Sequence, residues 1–456
     1  MRVHRSKARG RFGVAVDGRG LTSRSGVAAL RELADRIGLT DALGVAAAPV
    51  CSPRLVLDPG AVLRDLVVML ADGGDDFSAI ETLRGQVELL GSVASDSTAW
   101  RRVADLADDE LSVARLDAAR RRVRADVWRH RPPSTVAEGL VCVDIDATLV
   151  TAHSDKQDAA GTFKGGFGFH PLVAYLDRQD GTGEALAGVL RPGNAGANTA
   201  ADHIDMFETA LDQLGGVPAD RVLVRADSAG ATQNFLGHLA QAGVGFSVSA
   251  RLTDGVRAAI RIAHSRSDQT WTPAVRQDGQ PRDRAHVTEV TRLVDLADYP
   301  VGTRLLVRRE PLHPGAQQTF DDVDGHRFTA LLTTQEDHDL AALDRRHRAH
   351  ARVEQRIRDA KTLGLGNLPS ADFHINQIWL QLVLAAQDLL TWLSVLALDG
   401  DLAVATPATV RYRLLHVAAR ITTSSRRAVL HLDAAWPWAD ALAAAFRRIR
   451  ALPSLA

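Results

Sequence analysis

Apolar positions recur at helical spacing through the first third of the chain and at strand spacing through the middle. Val27–Ile37, Ala61–Leu70 and Ser78–Leu89 read as helices, the first stopped at Gly38 and the second preceded by Pro59-Gly60. The stretch SDSTAWRRVADL reads as a further short helix capped by Asp96 or Ser97, and Phe12–Ser23 as a hairpin around Asp17-Gly18. From residue 140 the pattern changes. LVCVDIDATLV, Leu140–Val150, is a Val/Ile-rich run of the kind that forms a buried strand, yet it carries Asp144 and Asp146. Strands follow at 172–176, 184–190, 221–226 and 245–249, with helices over 200–214 and up to about residue 242.

The order of three strands, helix, strand, helix, strand predicts an α/β fold. Early antiparallel strands followed by βαβ crossovers imply a mixed sheet covered by helices. That order matches a ribonuclease-H-like core. Residues 250–335 interrupt it with a β-rich insertion, predicted as strands over Val287–Val294, Thr303–Arg309 and Arg327–Thr333. Helix resumes near Asp339 and runs to Lys361. A long apolar helix covers Phe373–Leu398, and two more are predicted over 406–420 and 436–450. The expected organisation is a mostly helical N-terminal region (1–133), the first part of the core (134–250), the insertion (251–336), the last part of the core (337–398) and a helical C-terminal region (399–456).

Charge refines this picture. Fifty-four basic residues against 55 acidic ones give a formal net charge of -1, so no global basic field announces a nucleic-acid partner. Lysine occurs only at positions 7, 156, 164 and 361, so arginine carries nearly all the positive charge, in clusters suited to bidentate phosphate contacts. Residues 1–11 form a basic arm. The short helix at 95–106 presents Arg101 and Arg102 and, with the two helices before it, resembles a helix-turn-helix reader. The helix over 112–131 carries Arg115, Arg120, Arg121, Arg122, Arg124, Arg129 and Arg131, a face expected to track phosphates. Cys51 and Cys142 offer neither a disulfide framework nor a zinc set. No uninterrupted apolar run of membrane-spanning length is apparent and no signal peptide opens the chain, so a soluble, cytoplasmic protein is expected.

The candidate chemistry is carboxylate chemistry. An unpaired buried carboxylate is too costly to sit in a strand by accident, and Asp144 and Asp146, at i and i+2, leave the strand on one face. Asp227 ends the fourth core strand, which this topology places beside the first. Glu354 lies on the late helix, where His347, His350, Arg358 and Lys361 fall at −7, −4, +4 and +7 on its face. Three carboxylates brought together suit divalent cations with hard oxygen ligands.

These residues resemble the DDE transposases of bacterial insertion sequences. The Asp-x-Thr after a strand, the Asp ending a later strand and Glu-(x6)-Lys on a late helix carry the resemblance. The stretches DIDATLVTAHSDK, TFKGGFGFHPL, RPGNAGANTAADH and VRADSAGAT look most like the insertion-sequence 1380 family. The resemblance implies Asp146, Asp227 and Glu354 as catalytic residues and ligands of two Mg²⁺ ions, with Mn²⁺ as a substitute. It implies cut-and-paste cleavage and joining of DNA at terminal inverted repeats, by a chain that pairs as a homodimer on its DNA. Lys361, Arg358, His350 and His347 are then expected near DNA. Where the wider group has Tyr and Arg, this chain has His347 and His350, so Arg348 or Arg352 is a further candidate for phosphate contact. Trp271, in the insertion, is a candidate to stack on a flipped base.

Two rival readings remain open on the sequence. DIDATLV also fits the first motif of haloacid-dehalogenase-like phosphatases, with Asp144 as nucleophile, Asp146 as acid/base and Thr148 beside the phosphate. The chain is otherwise readable as a non-catalytic DNA-binding protein descended from a transposase.

Overall fold

A computed structural model describes residues 14–51, 57–152, 155–196, 199–319, 321–424 and 427–453. The expected basic arm at 1–11 lies outside the described residues. Leu21–Thr22 (β1) pairs with a strand near the C-terminus, Leu21 opposite Arg420, in place of the local hairpin expected around Asp17-Gly18. The next helices are Ser25–Arg36 (α1), Leu39–Ala47 (α2), Pro59–Asp72 (α3), Asp96–Ala107 (α4) and Ser112–His130 (α5). Ser95 caps α4, accepting from the Thr98 amide at 3.3 Å, so the cap falls one residue before the expected Asp96. The helix expected over 78–89 is three short turns instead.

Five core strands come next, in the expected order: Val141–Ala147 (β2), Leu172–Asp177 (β3), Gly183–Val189 (β4), Val222–Ala226 (β5) and Gly245–Ala250 (β6). Ala200–Gln213 (α6) lies between β4 and β5, and Gln233–Gln241 (α7) between β5 and β6. Strand β2 pairs antiparallel with β3 and parallel with β5, β3 antiparallel with β4, and β5 parallel with β6. The spatial order β4-β3-β2-β5-β6 is that of a ribonuclease-H-like core.

After β6 come a helix, Asp254–Ser265 (α8), and four strands: Thr272–Val275 (β7), Pro281–Glu289 (β8), Arg304–Pro311 (β9) and His326–Thr333 (β10). Strand β10 pairs antiparallel with β6, so the insertion extends the core sheet to nine strands, ordered β7-β8-β9-β10-β6-β5-β2-β3-β4. Helices Leu340–Arg348 (α9) and Arg352–Ala360 (α10) are joined by a 3₁₀ turn at Ala349–Ala351. The 25-residue helix Phe373–Ala397 (α11) is long and apolar enough to cross a membrane, contrary to the expectation that no such segment exists. It is instead a core helix with polar buried residues, among them Asn376, Gln381 and Asp388.

The C-terminal region departs from expectation. Helical structure beginning at Pro407 ends at Leu415. A hairpin comes after it, Ala419–Ser424 (β11) and Arg427–Leu432 (β12), and then the helix Ala439–Ala451 (α12). Strand alternation divides the core. Val141, Val143 and Ile145 of β2 pack with Met206 and Phe207 of α6 and Phe235 and Leu236 of α7. On the opposite face of the sheet, Val173 and Tyr175 of β3 join Val353 and Ile357 of α10, Trp379 of α11 and the N-terminal helices.

Candidate active site

Asp144 and Asp146 leave β2 on the face opposite Val143 and Ile145, and the structure gives them different surroundings. Asp144 is buried, with both oxygens held by the Arg225 fork, Nε to Oδ1 at 2.8 Å and Nη2 to Oδ2 at 2.7 Å. His350 Nδ1 lies 2.8 Å from the same Oδ1. Arg225 also donates to Asp177 Oδ2 at 2.7 Å and to the Arg346 carbonyl at 2.8 Å, and Arg352 closes on Asp177 at 2.9 Å. The network ties β2, β3 and β5 to α9 and α10. Its cations hold the Asp144 carboxyl below the usual carboxylate range although burial pushes the other way.

Asp146, two residues on, is half-buried with no cation among the described residues clamped to it; its Oδ1 accepts from the Ala147 amide at 2.8 Å. Burial raises its pKa to about 6, His350 opposes the rise, and the charges of Asp227 and Glu354 add to it. The three carboxylates therefore share one electrostatic neighbourhood. Asp227, just past β5, is exposed, with its Oδ1 accepting from the Ala229 amide at 2.8 Å; Glu354, on α10, is also exposed. Among the described residues no three His, Cys, Asp or Glu side chains already stand at metal-binding separation. The donor chemistry nevertheless suits a hard divalent cation: three carboxylates, mutual repulsion that raises one pKa, and no thiolate.

Lys361 follows α10, just before the chain leaves helical geometry at Leu363 and Gly364, and its Nζ donates to the Leu149 carbonyl at 2.9 Å, three residues beyond Asp146. Burial lowers its pKa, as does Lys164 nearby. Beside Glu354 opens a groove of about 460 Å³ lined by Ser249, Arg251, Arg308, Arg348, His350 and Glu354.

The family sequence profile described as transposase DDE domain group 1 matches residues 5–454, a span that takes in the whole fold and all three carboxylates. The chain belongs to that DDE transposase family. Transposases of this kind generally act with divalent metal ions. No curated protein matches the chain. A solved structure similar to this transposase is a cryo-EM structure of the piggyBac transposase synaptic complex with hairpin DNA, at 8% identity and a TM-score of 0.38, over 82% of this chain and 76% of that one.

Several residues expected at a DNA surface are turned elsewhere in this transposase. Arg120 and Arg124 of α5 are 1% and 0% exposed. They meet Asp388 of α11 at 3.1 and 2.8 Å, and Arg124 also meets Glu184 of β4 at 3.0 Å, so they bind helix to sheet. Arg121 pairs with Asp212. Arg102 pairs with Asp105 at 2.8 Å and reaches Cys51 Sγ at 3.3 Å, while Arg101 stays exposed beside exposed Trp100. His347 sits between Ser247 Oγ at 3.1 Å and Ser249 Oγ at 3.2 Å, and burial lowers its pKa to about 4, so it is a neutral packing group. His350 faces Asp144. Arg348 meets Asp344 at 2.7 Å, and Arg352 meets Asp177, so both phosphate candidates are already paired. Trp271 has the Arg309 guanidinium 4.0 Å from its ring centre, which covers one face of the ring. Arg358 is exposed and bonds Gln355 at 2.9 Å.

The geometry also shows what sequence reasoning missed. His170 and His203 both feel the charge of Asp227, and both are pushed down mainly by burial. They lie in GFGFHPL and AADH, stretches that already stood out as family-like. The phosphatase reading fails on the same geometry. Its nucleophile, Asp144, has both oxygens engaged by Arg225, and β2 pairs antiparallel with β3 where that reading needs a parallel neighbour.

Proposed function

We propose that this protein is the transposase of a bacterial insertion sequence, most similar to the 1380 type. It binds the terminal inverted repeats of its element and catalyses metal-dependent DNA cleavage and strand transfer. The observation that carries this is Asp146, half-buried at the end of the central strand of a ribonuclease-H-like sheet, its pKa raised by burial with the charges of Asp227 and Glu354 adding to the rise.

Asp146, Asp227 and Glu354 are the residues that would hold Mg²⁺. Two such ions would supply Lewis-acid activation of the attacking water or 3′-hydroxyl and of the leaving oxygen. The rest belongs to the chain. The Arg225–Asp144–His350 network fixes β2 against α10, so that Asp146 and Glu354 are offered from braced elements. Lys361 tethers the segment after Asp146 and brings a cation beside the path of a DNA phosphate, and Arg358, one turn before it, adds a second. Helix α4 offers Trp100 and Arg101 for contact with the element's end. Two copies of the chain are expected on the paired ends.

The test is nicking of a duplex carrying the element's terminal repeat, with and without Mg²⁺. Wild type should cut at the repeat boundary only with the ion, and Asp146→Asn should not cut. Cutting by Asp146→Asn at the wild-type rate, or cutting in EDTA, would overturn the reading.

A further inference from the structure

Residues 402–432 contain no Asp or Glu, in a chain whose acidic and basic residues balance overall. This stretch includes the β11–β12 hairpin, which joins β1 in a three-stranded sheet apart from the catalytic one. Cross-strand pairs sort its side chains. Ala419 faces Leu432 and Ile421 faces Leu430, and these turn inward, with Leu432 packing on the N-terminal core. The alternate set is Arg420 opposite His431, Thr422 opposite Val429 and Ser424 opposite Arg427, and all six are exposed. Thr422 Oγ1 and His431 Nε2 lie 2.9 Å apart, linking the two strands across this face.

Many arginines elsewhere in this protein are ion-paired, although others, such as Arg122 of α5, form no ion pair among the described residues. Those of α5 at 115, 120, 121, 124 and 129 each meet a carboxylate. Arg420 and Arg427 form no ion pair among the described residues. The base of the hairpin is braced: Trp436 Nε1 donates to the Arg413 carbonyl at 2.8 Å, and the Arg413 guanidinium stacks over Trp438 at 4.6 Å.

We propose that the outward face of this hairpin is a duplex-DNA contact, with Arg420 and Arg427 taking backbone phosphates away from the carboxylate site. The proposal rests on the transposase reading and adds a binding surface to it. A two-stranded ribbon fits a DNA groove. Guanidinium forks grip phosphate, and Ser and Thr hydroxyls donate to phosphate oxygens. None of these six outward residues carries a carboxylate that would repel the backbone.

The experiment measures binding of the full chain to a fluorescein-labelled duplex of arbitrary sequence, roughly three helical turns long, across a range of salt concentrations. Arg420→Glu/Arg427→Glu should weaken binding at low salt and reduce the slope of log K against log salt by about 1.8, or ~0.9 for each lost phosphate contact. Arg420→Lys/Arg427→Lys should keep most of the slope, and both variants should melt like wild type. A charge-reversed chain that melts normally and keeps the wild-type slope overturns the hairpin proposal and leaves the transposase reading standing; a change in oligomeric state with that slope intact would make the face a protein interface. Wild type that binds no duplex at any salt concentration overturns both.

Discussion

Arg225 and Asp144 stand directly opposite each other in the parallel register of β5 and β2 and close a two-point fork at 2.8 and 2.7 Å. This pair divides labour between two aspartates that are two residues apart. Asp144 anchors strands and helices from within, and Asp146 has no ion pair among the described residues.

The division is measurable. Asp144→Asn leaves Arg225 buried with half its partners and should cost about 3–5 kcal/mol in urea denaturation. Asp146→Asn should not destabilise at neutral pH. Its folded pKa of about 6 lies above the unfolded value of 3.8, so any stability it lends is complete below pH 3.8 and is lost as the pH rises through 6. Cleavage should vanish in Asp146→Asn. A stable Asp144→Asn combined with an unstable Asp146→Asn would reverse the assignment.

His347 sets a pH dependence of stability. Its folded pKa of about 4 lies below the unfolded 6.5. The neutral imidazole between Ser247 and Ser249 therefore contributes stability that is complete above pH 6.5 and is lost as pH falls towards 4. The loss is on the order of 3 kcal/mol. His347→Gln should flatten this part of the curve in melts between those two pH values; an unchanged slope would mean that the ring takes up its proton inside the fold.

Lys361 should matter to both fold and rate. Lys361→Ala removes the donor to the Leu149 carbonyl and should cost about 1 kcal/mol. Cleavage and joining should fall by about tenfold or more for one lost charge-assisted phosphate contact. Lys361→Met, which keeps the stem without the charge, should show the same rate loss. Normal rates in either variant would leave Lys361 as a tether alone.

Arginine on α4 and on α5 should respond differently. Arg124→Ala takes one of two arginine partners from each of Glu184 and Asp388 in the core and should cost about 3 kcal/mol. Arg101→Ala should leave the melting temperature in place and weaken binding to the terminal repeat by about 1 kcal/mol or more. Selective DNA loss in Arg124→Ala with a normal melt would restore α5 as the phosphate-tracking helix.

The sequence by itself determined the order of the core elements, because period-two and period-3.6 patterns are local. It also placed Asp146 at the end of the first core strand and Asp227 just past the fourth, since a carboxylate closing an apolar run has few other places to sit. The long apolar stretch at 373–398 was legible as a helix for the same reason. The tertiary structure decided which charges are free. Seven arginines on one helix read as a phosphate-facing surface, but the partners that bury two of them, Glu184 and Asp388, come from β4 and α11. No local pattern encodes such an ion pair. It forms only when the fold brings distant elements together, and burial then makes pairing obligatory. The helix register was lost in the same way. A 3₁₀ turn at Ala349–Ala351 interrupts the helix, and His347 and His350 meet Ser247, Ser249 and Asp144 on the strands while Glu354 is exposed. The β11–β12 hairpin was read partly as helix because its Ala- and Leu-containing run has no strong strand period. Its pairing with β1, almost 400 residues earlier, is a non-local contact that only the closed fold supplies.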